Sequence, residues 1–213
     1  MFLNVNDSDW HGFGDFLAVR AMELEGYLPF HRMVWQTRRL STHSIYPTIT
    51  MRWEIAMIGI PLGLLTANAV EWVFHKHVLH GLGRNRNSFW AFHWHDHHRH
   101  VRQNGFLDED YRKPPLTWNA QTKEVAALVA GAAVVTPLMP VAPFYVGTLY
   151  YCAWNYYRVH KRAHLDPEWA REHLPWHYDH HMGKNPNANW CVTKPWFDQL
   201  LGTREPMENR QLA

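Results

Sequence analysis

Fourteen of the 17 histidines in this 213-residue chain fall into two blocks, eight between His75 and His100 and six between His160 and His181. His11, His31 and His43 lie elsewhere. On an α-helix, residues four apart sit about 40° from one another around the axis. His160 and His164 could therefore reach one metal ion. In His177-Tyr-Asp-His180-His181 the three histidines fall within about 100° and line one helix face. His93, His97 and His98 offer a similar triad, with His95 and His100 as competing ligands. In His75-Lys-His77-Val-Leu-His80 two pairings are open. His75 and His80 lie about 140° apart on an ideal helix and share a site only where that helix ends or bulges, whereas His77 and His80 need no distortion.

Neutral imidazole binds zinc, iron, copper or nickel, and imidazoles packed together resist protonation, which leaves their lone pairs to a metal. Structural zinc takes about four ligands and catalytic zinc about three. Ten histidines at these spacings exceed one ion's needs, so two metals are expected. Asp96 and Asp179 stand between candidate ligands and could accept the second imidazole N–H, or simply solvate a helix surface. Cys152 and Cys191 form no Cys-x-x-Cys motif, so thiol chemistry is not expected.

These ligands need elements to hold them. Ile55 to Val70 is uncharged, interrupted by Pro61 and Gly63, and short for a bilayer span of about 20 residues. Val125 to Tyr157 is also uncharged, and Pro137, Pro140 and Pro143 at its middle predict two helices folded back on each other. Such a hairpin returns the chain to the face it left and brings both histidine blocks together there. Trp53, Trp72, Trp118, Tyr150, Tyr151, Trp154, Tyr156 and Tyr157 crowd the segment ends as an aromatic belt would. Mean hydropathy is −0.41, which favours a soluble helical protein with a long buried segment, but the histidine blocks depress that average. The favoured expectation is an all-α integral membrane bundle, with a membrane hairpin and a histidine-rich helical cap holding a dinuclear metal site.

The remaining composition narrows the field. Lys plus Arg total 21 against 19 Asp plus Glu, a net charge of +2 that gives no nucleic-acid footprint. No cleavable secretory signal is visible in Met1 to Trp10, and no repeat or linker divides the chain. A single domain over residues 1–213 is expected, with an interfacial N-terminal segment over 1–52 and a histidine core over 53–204. Lys161, Arg162, Arg171 and Lys184 place positive charge beside the histidines and favour a cytoplasmic face. The loop Arg99 to Pro115 could dock an electron donor, face lipid headgroups, or be simply solvated. Glu71 and Asn68 would line a substrate path or mark the membrane interface.

Over residues 53–204 the chain resembles the fatty acid hydroxylase superfamily, which includes fatty acid 2-hydroxylases, sterol methyl oxidases and carotenoid hydroxylases. In that pattern His75 and His80, then His93, His97 and His98, then His160 and His164, then His177, His180 and His181 take the places of four histidine boxes in order. The run from Asn189 to Thr203, closing on Trp196-Phe-Asp-Gln-Leu-Leu-Gly-Thr203, is similar to the family's C-terminal segment. The resemblance implies a membrane di-iron monooxygenase that hydroxylates an unactivated C–H of a lipid with O2. No His-Pro-Gly-Gly haem motif is present, so the electrons would come from a separate protein. Zinc in place of iron suits the same ligands. Family members usually have more membrane helices than the three apolar stretches here, so the first is expected to be re-entrant or paired with part of residues 1–50.

Two other classes compete. His93-Trp-His95-Asp96-His97 is similar to the His-x-His-x-Asp-His signature of metallo-β-lactamase-like zinc hydrolases, with the aspartate one place early. A membrane metal carrier would place polar ligands inside its spans, yet Val125 to Tyr157 holds no histidine or carboxylate.

Overall fold

Pro61 does not interrupt the first apolar stretch, because it falls in the opening turn of a helix, where its missing N–H needs no partner. In the computed structural model, which describes residues 56–207, this helix is α1, Gly59–Val73. The interfacial segment expected over residues 1–52 lies outside the described residues. The described residues belong to one unit, Ile49–Ala213, and are all-helical, with no strand among them.

α1 runs without a break into a π-helical segment, Phe74–Gly81, and then a 3₁₀ turn, Leu82–Arg84. A second π-helical segment, Phe92–His98, continues as α2, Arg99–Gln103. The proline-containing stretch forms the expected hairpin. α3, Ala120–Val135, begins where the Asn119 side chain accepts the Thr122 N–H at 2.9 Å. A 3₁₀ turn at Thr136–Leu138 reverses the chain, and Pro143 opens α4, Pro143–Leu165. Three short helices follow: α5, Pro167–His173; α6, Pro175–Met182; and α7, Trp196–Leu200.

No helix among the described residues is long and apolar enough to cross a membrane. α1 and α3 have 15 and 16 residues, and the last two turns of the 23-residue α4 carry Arg158, Lys161 and Arg162. The charge-free run of Val125 to Tyr157 is thus divided between two helices, neither of which is apolar for a full span.

Gly63 is a packing position rather than a breaker. A Cβ added to Gly59 would lie 2.6 Å from the Tyr145 backbone nitrogen, and one on Gly63 would lie 2.8 Å from the Thr148 Cβ. These glycines, one turn apart, let α1 and α4 approach backbone to backbone, as small residues four apart do in packed apolar helices. Gly63→Leu is expected to force the pair apart and cost about 1–3 kcal/mol. Gly147→Ala, on the exposed side of α4 where a Cβ meets nothing, is expected to be neutral or slightly stabilising. Thermal melts of the two variants check the contrast, and equal melting would contradict the close approach.

The apolar core is small. Val101, Phe106, Val159, Ala163, Ala170 and Leu174 pack together where α2, α4 and α5 meet. Much of the remaining interior is filled by ten buried histidines.

Candidate metal centre

Each buried histidine belongs to an element whose period turns it inward. His75 and His80 sit on the first π-helical segment, and His93, His97 and His98 on the second. A π-helix bonds residues five apart, so it stacks side chains at i and i+5 on one face where an α-helix would splay them. This bulge settles the open pairing in favour of His75 and His80. His160 and His164 lie one turn apart near the end of α4, and His177, His180 and His181 line the inner face of α6.

These side chains converge into two groups. One is His75, His80, His93, His98 and His180; the other is His97, His160, His164 and His181. Within each, one ligand atom per residue lies within 4.8 Å of every other. His177 joins the second, with its Nε2 3.3 Å from that of His164. The groups abut, since the rings of His98 and His181 stack at 4.2 Å. The three competing histidines stay out. His77 and His100 are exposed, and His95 bonds the Arg84 carbonyl at 3.0 Å.

Hydrogen bonds at the far ring nitrogens fix which atoms face inward. The Nδ1–H groups of His75, His164 and His180 donate to the carbonyls of Trp190 at 2.6 Å, Phe106 at 3.1 Å and Ala188 at 2.7 Å. His97 Nδ1 donates to Asp108 at 3.2 Å and His160 Nδ1 to Glu124 at 2.7 Å. A neutral imidazole that donates from Nδ1 carries a lone pair on Nε2. The Nε2 atoms of His160 and His164 then face each other at 3.1 Å as two lone pairs. In the larger group Nε2 contacts of 2.9–3.2 Å link His75 to His93, His80 to His98, and His180 to both His80 and His98. His97 Nε2 and both nitrogens of His181 are buried without a hydrogen-bond partner. Converging buried acceptors with orphaned neighbours are what a cation would satisfy. The donor set fits a metal ion in each group.

Proton occupancy is opposed instead. Burial, followed by repulsion from neighbouring imidazoles, holds His93, His98, His164, His177 and His181 well below the usual histidine range. Burial likewise pushes His180 down to about 4, although its bond to the Ala188 carbonyl opposes the shift.

The outer partners were partly hidden in the sequence. Asp96 is exposed, and Asp179 is buried with Oδ2 accepting from Arg204 at 2.8 Å, so Asp179 ties α6 to the C-terminal tail. The carboxylates that meet imidazoles are Asp108 and Glu124, one in the loop after α2 and one on the first turn and a half of α3. Both lie far in sequence from the histidines they hold, and no local spacing signals them. Glu109 and Asp110 in the same loop pair with Arg112 and Lys113, so much of its charge is satisfied locally.

Backbone carbonyls needed equally specific placement. Gly105 and Phe106 both take left-handed conformations, with φ of 63° and 79°, and this turn aims the Phe106 carbonyl at His164. Asp198, on α7, accepts from the backbone N–H groups of Trp190 and Cys191 at 2.8 Å and from the Thr203 hydroxyl at 2.7 Å. That clasp positions the segment whose Ala188 and Trp190 carbonyls orient His180 and His75. Asn68 and Glu71 brace the same segment from α1: Asn68 bonds the Lys194 carbonyl and Phe197 N–H, and Glu71 accepts from the N–H groups of Val192 and Thr193.

A cavity of about 310 Å³ runs between α1, α3 and α4 and ends on this centre, where His75, His93, His97 and His160 form part of its wall. Its lining extends along α3 from Ala120 to Val135 and along α4 from Tyr145 to His160, about 22 Å at 1.5 Å per residue. Most of that lining is apolar.

Fold and site together define an all-α protein with two adjoining groups of buried histidines that could each hold a metal ion. No protein-family model, no curated protein and no solved structure matches the chain.

Proposed function

We propose that the protein is a membrane-bound di-iron monooxygenase that hydroxylates an unactivated C–H of a lipid, using O2 and electrons from a separate donor protein. The observation that carries this reading is the long apolar cavity ending on imidazoles of both groups, His75 and His93 from one and His97 and His160 from the other. Two iron ions, when bound, would supply O2 activation and attack on an otherwise inert C–H bond. His75, His80, His93, His98 and His180 would hold one ion, and His97, His160, His164 and His181, with His177 beside them, the other.

The chain's own residues do the rest. Ala127, Leu128, Ala132, Val135 and Leu149 form an apolar channel long enough for an extended hydrocarbon chain and exclude water from the reacting end. Asp108 and Glu124 keep protons on His97 Nδ1 and His160 Nδ1 and so hold each Nε2 as a ligand. The buried Tyr111 hydroxyl donates to Glu124 at 2.5 Å at the cavity wall, which keeps that carboxylate in place.

A membrane setting is supported by exposed apolar side chains at the end of the molecule away from the histidines. Ile60, Leu62 and Leu65 on α1, Val129 and Val134 on α3, and Val141 in the turn are all exposed. Exposed apolar side chains in such number are what contact with lipid or a partner would cover. Lys161, Arg162, Arg171 and Lys184 near the centre support a cytoplasmic orientation. The absence of strands among the described residues weighs against the zinc-hydrolase alternative.

Elemental analysis of detergent-purified protein tests the proposal, combined with mass spectrometry of lipid extracts made with and without O2. About two iron per chain and an O2-dependent product gaining one oxygen atom are expected. His177→Ala and His180→Ala should lose metal and product together. One zinc or none, unchanged by these substitutions, would return the carrier and hydrolase readings.

A further inference from the structure

The two histidine groups differ in what stands behind them. In the five-histidine group the Nδ1 partners given by the structure are neutral carbonyls, that of Trp190 for His75 and that of Ala188 for His180. Guanidinium groups flank it: Arg84 lies over the Trp94 ring, which packs against His80, and Arg102 donates to the Gly183 carbonyl at the end of the helix that carries His180. In the four-histidine group two buried or nearly buried carboxylates accept directly from ligand imidazoles, Asp108 from His97 and Glu124 from His160. Only His164 has a carbonyl there. Ligand number does not separate the groups, since five imidazoles face four with His177 alongside.

A carboxylate behind an imidazole raises its basicity and places negative charge one residue away from the ion. A divalent cation entering the four-histidine group would be met by two such charges, and one entering the five-histidine group by cationic neighbours. We infer that the two metal positions are unequal, and that the position formed by His97, His160, His164 and His181, backed by Asp108 and Glu124, binds a divalent metal first and more tightly. This rests on the reading of both groups as metal positions. It adds an order of loading and names the side chains that set it.

Zinc titration of the full-length metal-free protein in detergent, against a chromophoric chelator, tests this without any activity assay. Two classes of site are expected, separated by about 10–100-fold in affinity, the usual effect of such carboxylates. Asp108→Asn combined with Glu124→Gln should weaken the tight class by a similar factor and leave the weak class unchanged. His164→Ala should abolish the tight class, and His75→Ala only the weak one. This pair of single variants decides the assignment even where the double variant fails to fold. Two classes of equal affinity, or a tight class lost in His75→Ala and kept in His164→Ala, would overturn the ordering while leaving two metal positions standing. Saturation at one zinc per chain would overturn the two-metal reading and the ordering with it.

Discussion

Asp198→Ala is expected to lower the melting temperature by about 10 °C and to strip metal from the five-histidine group, although the side-chain bonds of Asp198 go to Trp190, Cys191 and Thr203 and not to an imidazole. The carboxylate is fully buried and satisfies the N–H groups of Trp190 and Cys191 and the Thr203 hydroxyl. Alanine orphans these donors at about 1–3 kcal/mol each, for a total of roughly 3–5 kcal/mol after relaxation. In a domain of this size each kcal/mol shifts melting by about 2–4 °C. The loss is also specific. Trp190 carries the carbonyl that orients His75, so freeing its backbone lets that imidazole turn away from its neighbours. Asp198→Asn keeps the side-chain volume and one acceptor and should cost less than half as much. Calorimetry with metal analysis of both variants checks the prediction; an alanine variant that melts within about 2 °C of the parent with full metal content would refute it.

Chelation should have a comparably large effect and should make the protein acid-sensitive. A ligand held at about 1,000 times its Kd stabilises the folded state by about 4 kcal/mol, so stripping the metal should lower melting by about 8–16 °C. The metal-free protein keeps buried neutral imidazoles, whereas the unfolded chain titrates them near the ordinary histidine value of 6.5. Because folding depresses these values, the unfolded state binds more protons below 6.5, and stability must fall as pH falls. The loss should begin near pH 6.5; His180 stops adding to it near pH 4, its lowered folded value, whereas His93, His98, His164, His177 and His181, held lower still, carry the slope on. Melting curves of metal-free protein from pH 8 to pH 4 measure this slope. A flat profile would mean that the histidines are not held neutral in the folded state.

The local part of the site follows from α-helical periods and from proline. The pairing of His160 with His164 and the face made by His177, His180 and His181 follow from 3.6 residues per turn, and both sets are buried together. Three prolines in an uncharged run forecast the reversal between α3 and α4 that brings the histidine blocks to one end. The same period misled at Gly63, read as an interruption though it serves close helix contact, and left His75, His77 and His80 undecided. Choosing among those three required the π-helical segment, whose i+5 bonding no simple periodic pattern encodes.

The sequence by itself determined the chemistry on offer, since imidazoles at these spacings could together hold metal, and it determined the helical frame that presents them. Tertiary structure decided how ten histidines divide into two groups and which nitrogen of each key imidazole faces inward. It also decided that Asp108 and Glu124, rather than Asp96 and Asp179, stand behind the ligands. The physical reason is range. A helical period acts within a few residues, whereas the carbonyls of Phe106, Ala188 and Trp190 and the two carboxylates reach their imidazoles across 8 to 115 positions of sequence, and only the packed fold sets those distances.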